Sequence, residues 1–224
     1  MFETESYLKK LEIIPKLVDK IREAIDNHEH TLILMPAGTG KTFAVRNAIA
    51  KLPPLQKKYE DEVRNIAERA GLLKIEPYNE YNDIRIPFRA PHHTVSEIGM
   101  VGLIFTEKEY RTFPYTWKPG ELNLAHRGVL FLDEVNEFKR NVLQRVFEAM
   151  KNKRTILKHN YEFPADFTLI ATMDTCPCGN FFETSKTKCI CLPETIKKYY
   201  ARTEFLMSYF KNIITFKNLE GDQQ

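Results

Sequence analysis

The feature that most limits what this chain can become is the loop Pro36-Ala37-Gly38-Thr39-Gly40-Lys41-Thr42. Before it, Thr31-Leu32-Ile33-Leu34-Met35 reads as a short strand buried on both faces. After it, the stretch from Lys41 to about Leu52 reads as a helix stopped by Pro53-Pro54. Strand, glycine loop, lysine-threonine and helix form the setting in which a backbone wraps around phosphate. The glycines let N–H groups turn inward, and the helix N-terminus adds partial positive charge. Lys41 is expected to reach the β- and γ-phosphates of a bound nucleotide, and the Thr42 hydroxyl to ligate Mg2+. A glycine-rich turn with a surface lysine is the plain alternative, and the conjunction of all four parts counts against it. The full pattern has glycine where this chain has Met35, whose side chain must lie near the phosphates or pack under the loop.

A second acidic segment completes the site. Leu130-Phe131-Leu132-Asp133-Glu134 ends another apolar run, starting at Gly128. Asp133 is expected to hold Mg2+ through its water shell and Glu134 to polarise an attacking water. Carboxylates are also favoured at an ordinary helix start; the upstream loop favours the functional reading. Further strands are expected at 167–172 and 213–216, and helices at 139–151 and from Pro193 past Tyr200. Another helix carries Leu55, Tyr59, Val63, Ile66, Ala67 and Ala70, with Gly71 as its stop. At the N-terminus, Thr4 caps a short helix to about Leu11, and Pro15 opens a second that ends near Asn27. Residues 72–120 read as loops and small hairpins. Alternating strands and helices predict an α/β fold: a P-loop NTPase, three-layer αβα with a parallel sheet.

Composition narrows the class. With 224 residues, 43% of them hydrophobic and 28% charged, the chain can bury a core without staples. The net charge of +3 permits a nucleic-acid partner without arguing for one. The acidic start, Met1-Phe2-Glu3-Thr4-Glu5, lacks signal-peptide layout, and no apolar run approaches the ~20 residues of a membrane span, so a cytoplasmic chain with no membrane partner is expected. All 4 cysteines, Cys176, Cys178, Cys189 and Cys191, form two C-x-C pairs in one short segment. Four thiolates suit a closed, structural Zn2+ site, against reduced buried cysteines or one reactive pair.

Taken with these, Pro87-Phe88-Arg89-Ala90-Pro91-His92-His93-Thr94, Pro119-Gly120-Glu121-Leu122, Leu124-Ala125-His126, Cys176-Pro177-Cys178-Gly179 and Leu52-Pro53-Pro54-Leu55 resemble the magnesium-chelatase-like AAA+ proteins of the ComM-like group, over about residues 27–202. The resemblance implies a five-stranded sheet with a hairpin inserted in its second helix, ATP and Mg2+ as cofactors, and homo- or hetero-oligomeric rings with other AAA+ subunits. It also implies ATP-driven remodelling, with DNA as a candidate substrate. It divides the chain into N-terminal helices packing on the core (1–26), an AAA+ core (27–217) with a zinc-knuckle-like insert (176–191), and a polar tail (218–224). The expected helical lid and N-terminal domain are absent from this sequence, which leaves a truncated fragment as a further reading. Asp174 stands where the family's first sensor is asparagine, and Phe210 where it has an arginine acting on a neighbour's nucleotide. A carboxylate there repels a γ-phosphate.

Two functional readings follow. The first is an ATPase, slow in isolation, with Glu134, Lys41 and Asp174 as its catalytic group. The alternative is a nucleotide-binding module with little intrinsic hydrolysis, serving as scaffold or partner for a complete AAA+ ATPase. No Asn-Lys-x-Asp motif supports a GTPase, and the Leu-Asp-Glu strand end disfavours a small-molecule kinase. Weaker signals keep open readings. His92 and His93, on an extended chain, would point opposite ways and be structural. Arg89 would touch phosphate or a subunit, or form a salt bridge. Tyr110, Phe113, Tyr115 and Trp117 with Lys108, Arg111 and Lys118 would stack on bases, or pack the hairpin on its own domain. Lys151-Asn152-Lys153-Arg154 reads as a solvated helix end.

Overall fold

The computed structural model describes residues 2–72, 84–106, 115–180 and 189–220. In chain order these form α1 (Phe2–Asp26), β1 (Thr31–Leu34), α2 (Lys41–Ala50), α3 (Glu60–Arg69), β2 (Phe88–Arg89), α4 (Glu97–Val101), β3 (Gly102–Thr106), β4 (Tyr115–Pro119) and α5 (Glu121–Leu124). There follow β5 (Val129–Leu132), α6 (Arg140–Asn152), β6 (Arg154–Ile156), β7 (Glu162–Pro164), β8 (Thr168–Met173), α7 (Pro193–Met207), β9 (Asn212–Thr215) and α8 (Phe216–Glu220). The main sheet has five strands in the order β2-β5-β8-β1-β9. This is the α/β P-loop architecture that the sequence predicts. Among the described residues, no helix is long and apolar enough to cross a membrane.

The chain divides into two compact units, one of Met1–Lys51, Asp133–Glu137 and Ile170–Gln224, the other of Leu52–Leu132 and Phe138–Leu169. In the first, β1 lies between β8 and β9 and is parallel to both, with Leu32 level with Ala171 and Ile213. Leu32 and Ile33 are both fully buried, so both faces of β1 are covered, as its unbroken apolar run requires. The N-terminal segment is one helix, not the two expected, and Pro15 lies inside it. Ile13, Leu17, Val18, Ile21, Ala24 and Ile25 bury one continuous face of α1. That burial outweighs the ~3 kcal/mol a proline costs inside a helix. The stretch read as a polar tail begins inside α8, where Leu219 is buried and its carbonyl accepts from Lys16 Nζ at 3.2 Å.

In the second unit β2 runs parallel to β5, and α6 presents Val142, Leu143, Val146, Phe147 and Ala149 inward. The stretch read as loops up to residue 120 holds α4 and the β3–β4 hairpin, and α5 follows the hairpin directly. This is the helix-interrupting insert that the family resemblance implied. Trp117 is buried and stacks on Phe163 with ring centroids 4.1 Å apart, so its ring packs the hairpin onto its own unit. Lys118 is exposed. Lys108, Tyr110, Arg111, Phe113 and the Tyr115 side chain lie outside the described residues. A second hairpin, β6–β7, was not foreseen. Helix α6 ends at Asn152, Lys153 turns the chain with φ 57, and Arg154 opens β6, paired with Glu162.

Arg89 makes a two-pronged ion pair with Glu121 at 2.6 and 2.7 Å, the salt-bridge reading of that residue. His92 and His93 do not diverge: a turn brings their ring centroids to 4.0 Å, and His92 Nδ1 bonds the Thr94 hydroxyl. Fully buried Asn123 joins three parts of the unit. It accepts from the Gly120 N–H and donates to Thr155 Oγ1 and the Pro164 carbonyl.

Buried His126 has its protonation fixed by its partners. Its Nδ1 accepts from the Asp166 N–H at 3.0 Å, which leaves Nε2–H to face Glu62 Oε2 at 2.9 Å. Desolvation holds the imidazole below its usual range, against the opposing pull of Glu62. Hydrogen bonds from Arg127 and His126 lower Glu62 as well. Both groups are depressed by folding, so both contribute stability above their unfolded pKa values, about 6.5 and 4.3. That stability is lost as pH falls through the folded values. Protonating His126 also removes the Nδ1 acceptor. Thermal melts should therefore fall more steeply between pH 7 and pH 5 in the native chain than in His126→Gln, which can neither titrate nor lose its acceptor. Parallel curves would exclude His126 as the cause.

Candidate functional site

Every residue of the site lies in the first unit. Met35, which follows β1, is fully buried. Gly40 has φ 86 and leads directly into α2, a left-handed conformation that L side chains adopt at a cost. The Thr39 hydroxyl closes the loop on the Pro36 carbonyl at 2.8 Å. Lys41 curls back under it, its Nζ donating to the Met35 and Pro36 carbonyls at 3.0 and 2.9 Å and to Asp174 Oδ1 at 2.6 Å. An ammonium has three donors, and here all three are used, as a lysine only 8% exposed requires.

Asp133 is gripped from two sides. Thr42 Oγ1 donates to its Oδ2 at 2.8 Å, and Thr172 Oγ1 to its Oδ1 at 2.5 Å. The same Thr172 oxygen accepts the Glu134 N–H at 2.9 Å. Glu134 is held at φ 53, an uncommon conformation for glutamate, with its side chain exposed. A hydroxyl and a carboxylate in contact beside a glycine loop form the hard-oxygen donor set that Mg2+ takes. Thr172 was not singled out in the sequence, although a threonine inside the apolar run Leu169-Ile170-Ala171-Thr172-Met173 is a readable signal: a fully buried hydroxyl needs a partner.

Asp174 follows β8 and is fixed along its backbone by α7. The Tyr199 hydroxyl donates to the Asp174 carbonyl at 2.8 Å, and Tyr200 to that of Thr175 at 2.9 Å. Burial, then the Asp174 charge, raise the Tyr199 phenol, keeping it a donor. Nothing in the sequence distinguished these tyrosines from core aromatics. Phe210 is 5% exposed, a core position rather than one offered to a neighbour.

Cys176, Cys178, Cys189 and Cys191 come together, all four sulfurs within 4.8 Å of one another. Three of the separations are 3.4, 3.8 and 3.6 Å. Sulfurs about 2.3 Å from a tetrahedral zinc lie about 3.8 Å apart, so the donor set fits. The Asn180 backbone N–H leads in lowering the Cys178 thiol to about 6, whereas desolvation raises Cys189 and Cys191.

Comparison with known proteins agrees with this geometry. The family "Magnesium chelatase, subunit ChlI" matches residues 20–220. The chain is 34% identical over 178 residues to the competence protein ComM of Haemophilus influenzae, covering 78% of this chain and 32% of that one. It is 35% identical over 179 residues to the protein YifB of Escherichia coli, covering 77% and 32%. The chain thus spans about a third of the length of these relatives. Among solved structures, NtrX from Brucella abortus superposes with a TM-score of 0.52 at 16% identity, over 95% of this chain and 39% of that one, a likeness of fold alone.

Proposed function

The chain belongs to the magnesium chelatase subunit ChlI family of AAA+ modules, and from that premise we propose that it binds Mg2+-ATP at Gly38, Thr39, Gly40, Lys41, Thr42 and Asp133 and hydrolyses it slowly within an oligomeric assembly. The observation that carries this reading is the joined pair of contacts Lys41 with the Met35 and Pro36 carbonyls, and Thr42 with Asp133. The first keeps the loop curled with its lysine underneath; the second sets two oxygens where a cation would bridge to phosphate. Mg2+ would supply charge neutralisation on the phosphates. Thr42 and Asp133 would hold it, Lys41 would draw charge from the phosphoryl oxygens, and Glu134 would orient water.

The second reading, a nucleotide-binding module that partners a complete AAA+ ATPase, is favoured by Asp174 on Lys41 and by the buried Phe210. We assign the four cysteines to a structural Zn2+, since four thiolates leave no open position. Calorimetric titration with Mg2+-ATP, with turnover and metal content measured on the same untreated sample, tests all of this. Saturable binding at one site, slow turnover and about one zinc per chain are expected. Absence of binding would remove the nucleotide reading, turnover of several per second by the chain alone would remove the claim of slowness, and negligible zinc would remove the metal site.

A further inference from the structure

The geometry points to Gly179 as a positioning residue of the phosphate loop, through which metal at the cysteines and nucleotide at the loop are coupled. This rests on the nucleotide reading above and adds a means of regulating that site. The segment from Asp174 to Gly179 touches the loop at both ends. At one end Asp174 Oδ1 meets Lys41 Nζ at 2.6 Å. At the other, the Gly179 carbonyl accepts the Ala37 N–H at 2.8 Å. Between them lie Cys176 and Cys178, two of the four clustered cysteines. The Gly179 N–H in turn closes on the Cys176 carbonyl at 2.9 Å, so the cysteine turn and the loop contact share one residue.

Gly179 permits this in two ways. Its φ of 73 is left-handed, and a Cβ there would lie 2.4 Å from the Ala37 Cβ and 3.2 Å from Asp174 Oδ2. Glycine is therefore required both for the turn and for the approach to the loop. The Ala37 N–H has its partner only while this turn keeps its shape. Four sulfurs drawn onto one ion fix the turn formed by Cys176 and Cys178 against Cys189 and Cys191. Without the ion, the cysteine turn loses the bond that ties it to Cys189 and Cys191 and keeps weak thiol contacts in its place. The ion thus selects the conformation in which the Gly179 carbonyl holds the Ala37 N–H and the loop stays curled, and a ligand of that loop conformation binds more tightly.

The test is the affinity of the whole chain for Mg2+-ATP, zinc-loaded and after zinc chelation with Mg2+ restored. The zinc-loaded form should bind about tenfold more tightly, within the range usual for coupled sites. Coupling is reciprocal, so a non-hydrolysable ATP analogue with Mg2+ should tighten zinc binding to the unaltered chain by the same factor. Gly179→Ala should keep its zinc and lose most of the nucleotide affinity. Equal nucleotide affinity with and without zinc, together with zinc affinity indifferent to nucleotide, overturns the coupling and leaves the nucleotide site standing. Failure of either form to bind Mg2+-ATP overturns the functional reading itself.

Discussion

Replacing Asp174 by asparagine is expected to tighten Mg2+-ATP binding by about tenfold, a difference of about 1.4 kcal/mol. Asp174 takes the third donor of Lys41 at 2.6 Å, the one that the Met35 and Pro36 carbonyls leave over. That third donor is what a phosphate oxygen needs. A bound γ-phosphate therefore competes with Asp174 for Lys41 and faces its negative charge. Two like charges about 4 Å apart repel by up to about 4 kcal/mol at an effective dielectric near 20, and screening reduces this. Asparagine keeps an oxygen for Lys41 and removes the charge, so the loop geometry survives. Calorimetry on the two proteins measures the difference, and turnover should rise with affinity. Unchanged or weaker binding in Asp174→Asn would show that the carboxylate does not oppose phosphate. Lys41→Met serves as the opposite control. It removes a charged donor worth about 1.5–3 kcal/mol, and binding should fall by about ten- to a hundredfold.

The second large effect concerns turnover. Glu134→Gln should lower hydrolysis by about 10²–10⁴-fold, the usual contribution of a general base, with Mg2+-ATP affinity nearly unchanged. The glutamate is the one acid of the site with an exposed side chain, and its backbone is pinned by Thr172 at φ 53. Glutamine fits the same backbone and keeps the polar shape. The starting rate is itself expected to be low, because an arginine finger supplies about 10³–10⁵ in rate and the family resemblance implies that Phe210, which is buried, stands in its place. Single-turnover measurement with excess protein separates the two functional readings. A further drop in Glu134→Gln marks an ATPase. Identical residual rates in both proteins mark a nucleotide-binding module.

Much of this was written locally in the chain. The loop of residues 36–42, the apolar strands that lead into Asp133 and Asp174, and the paired cysteines are short-range patterns, each with its chemistry in its spacing. Their strand and helix types follow from burial periodicity and turn residues, which act over a few residues. The β6–β7 hairpin escaped because its strands are only three residues each, too short for alternation to show. Helix α1 ran through Pro15 because tertiary burial of its apolar face overrode a local stop signal.

The sequence by itself determined that a glycine-rich loop between strand and helix, an acidic strand end and four paired cysteines exist in one α/β chain. Only the tertiary structure decided how they meet. Met35 is buried, and Asp174 turns onto Lys41. Thr172 clasps Asp133, and Gly179 ties the cysteine turn to Ala37. These contacts join residues at least 39 positions apart, and 133 apart for Asp174 and Lys41. Nothing in local propensity carries that information, because it is the packing of neighbouring parallel strands that brings their carboxyl ends into one place.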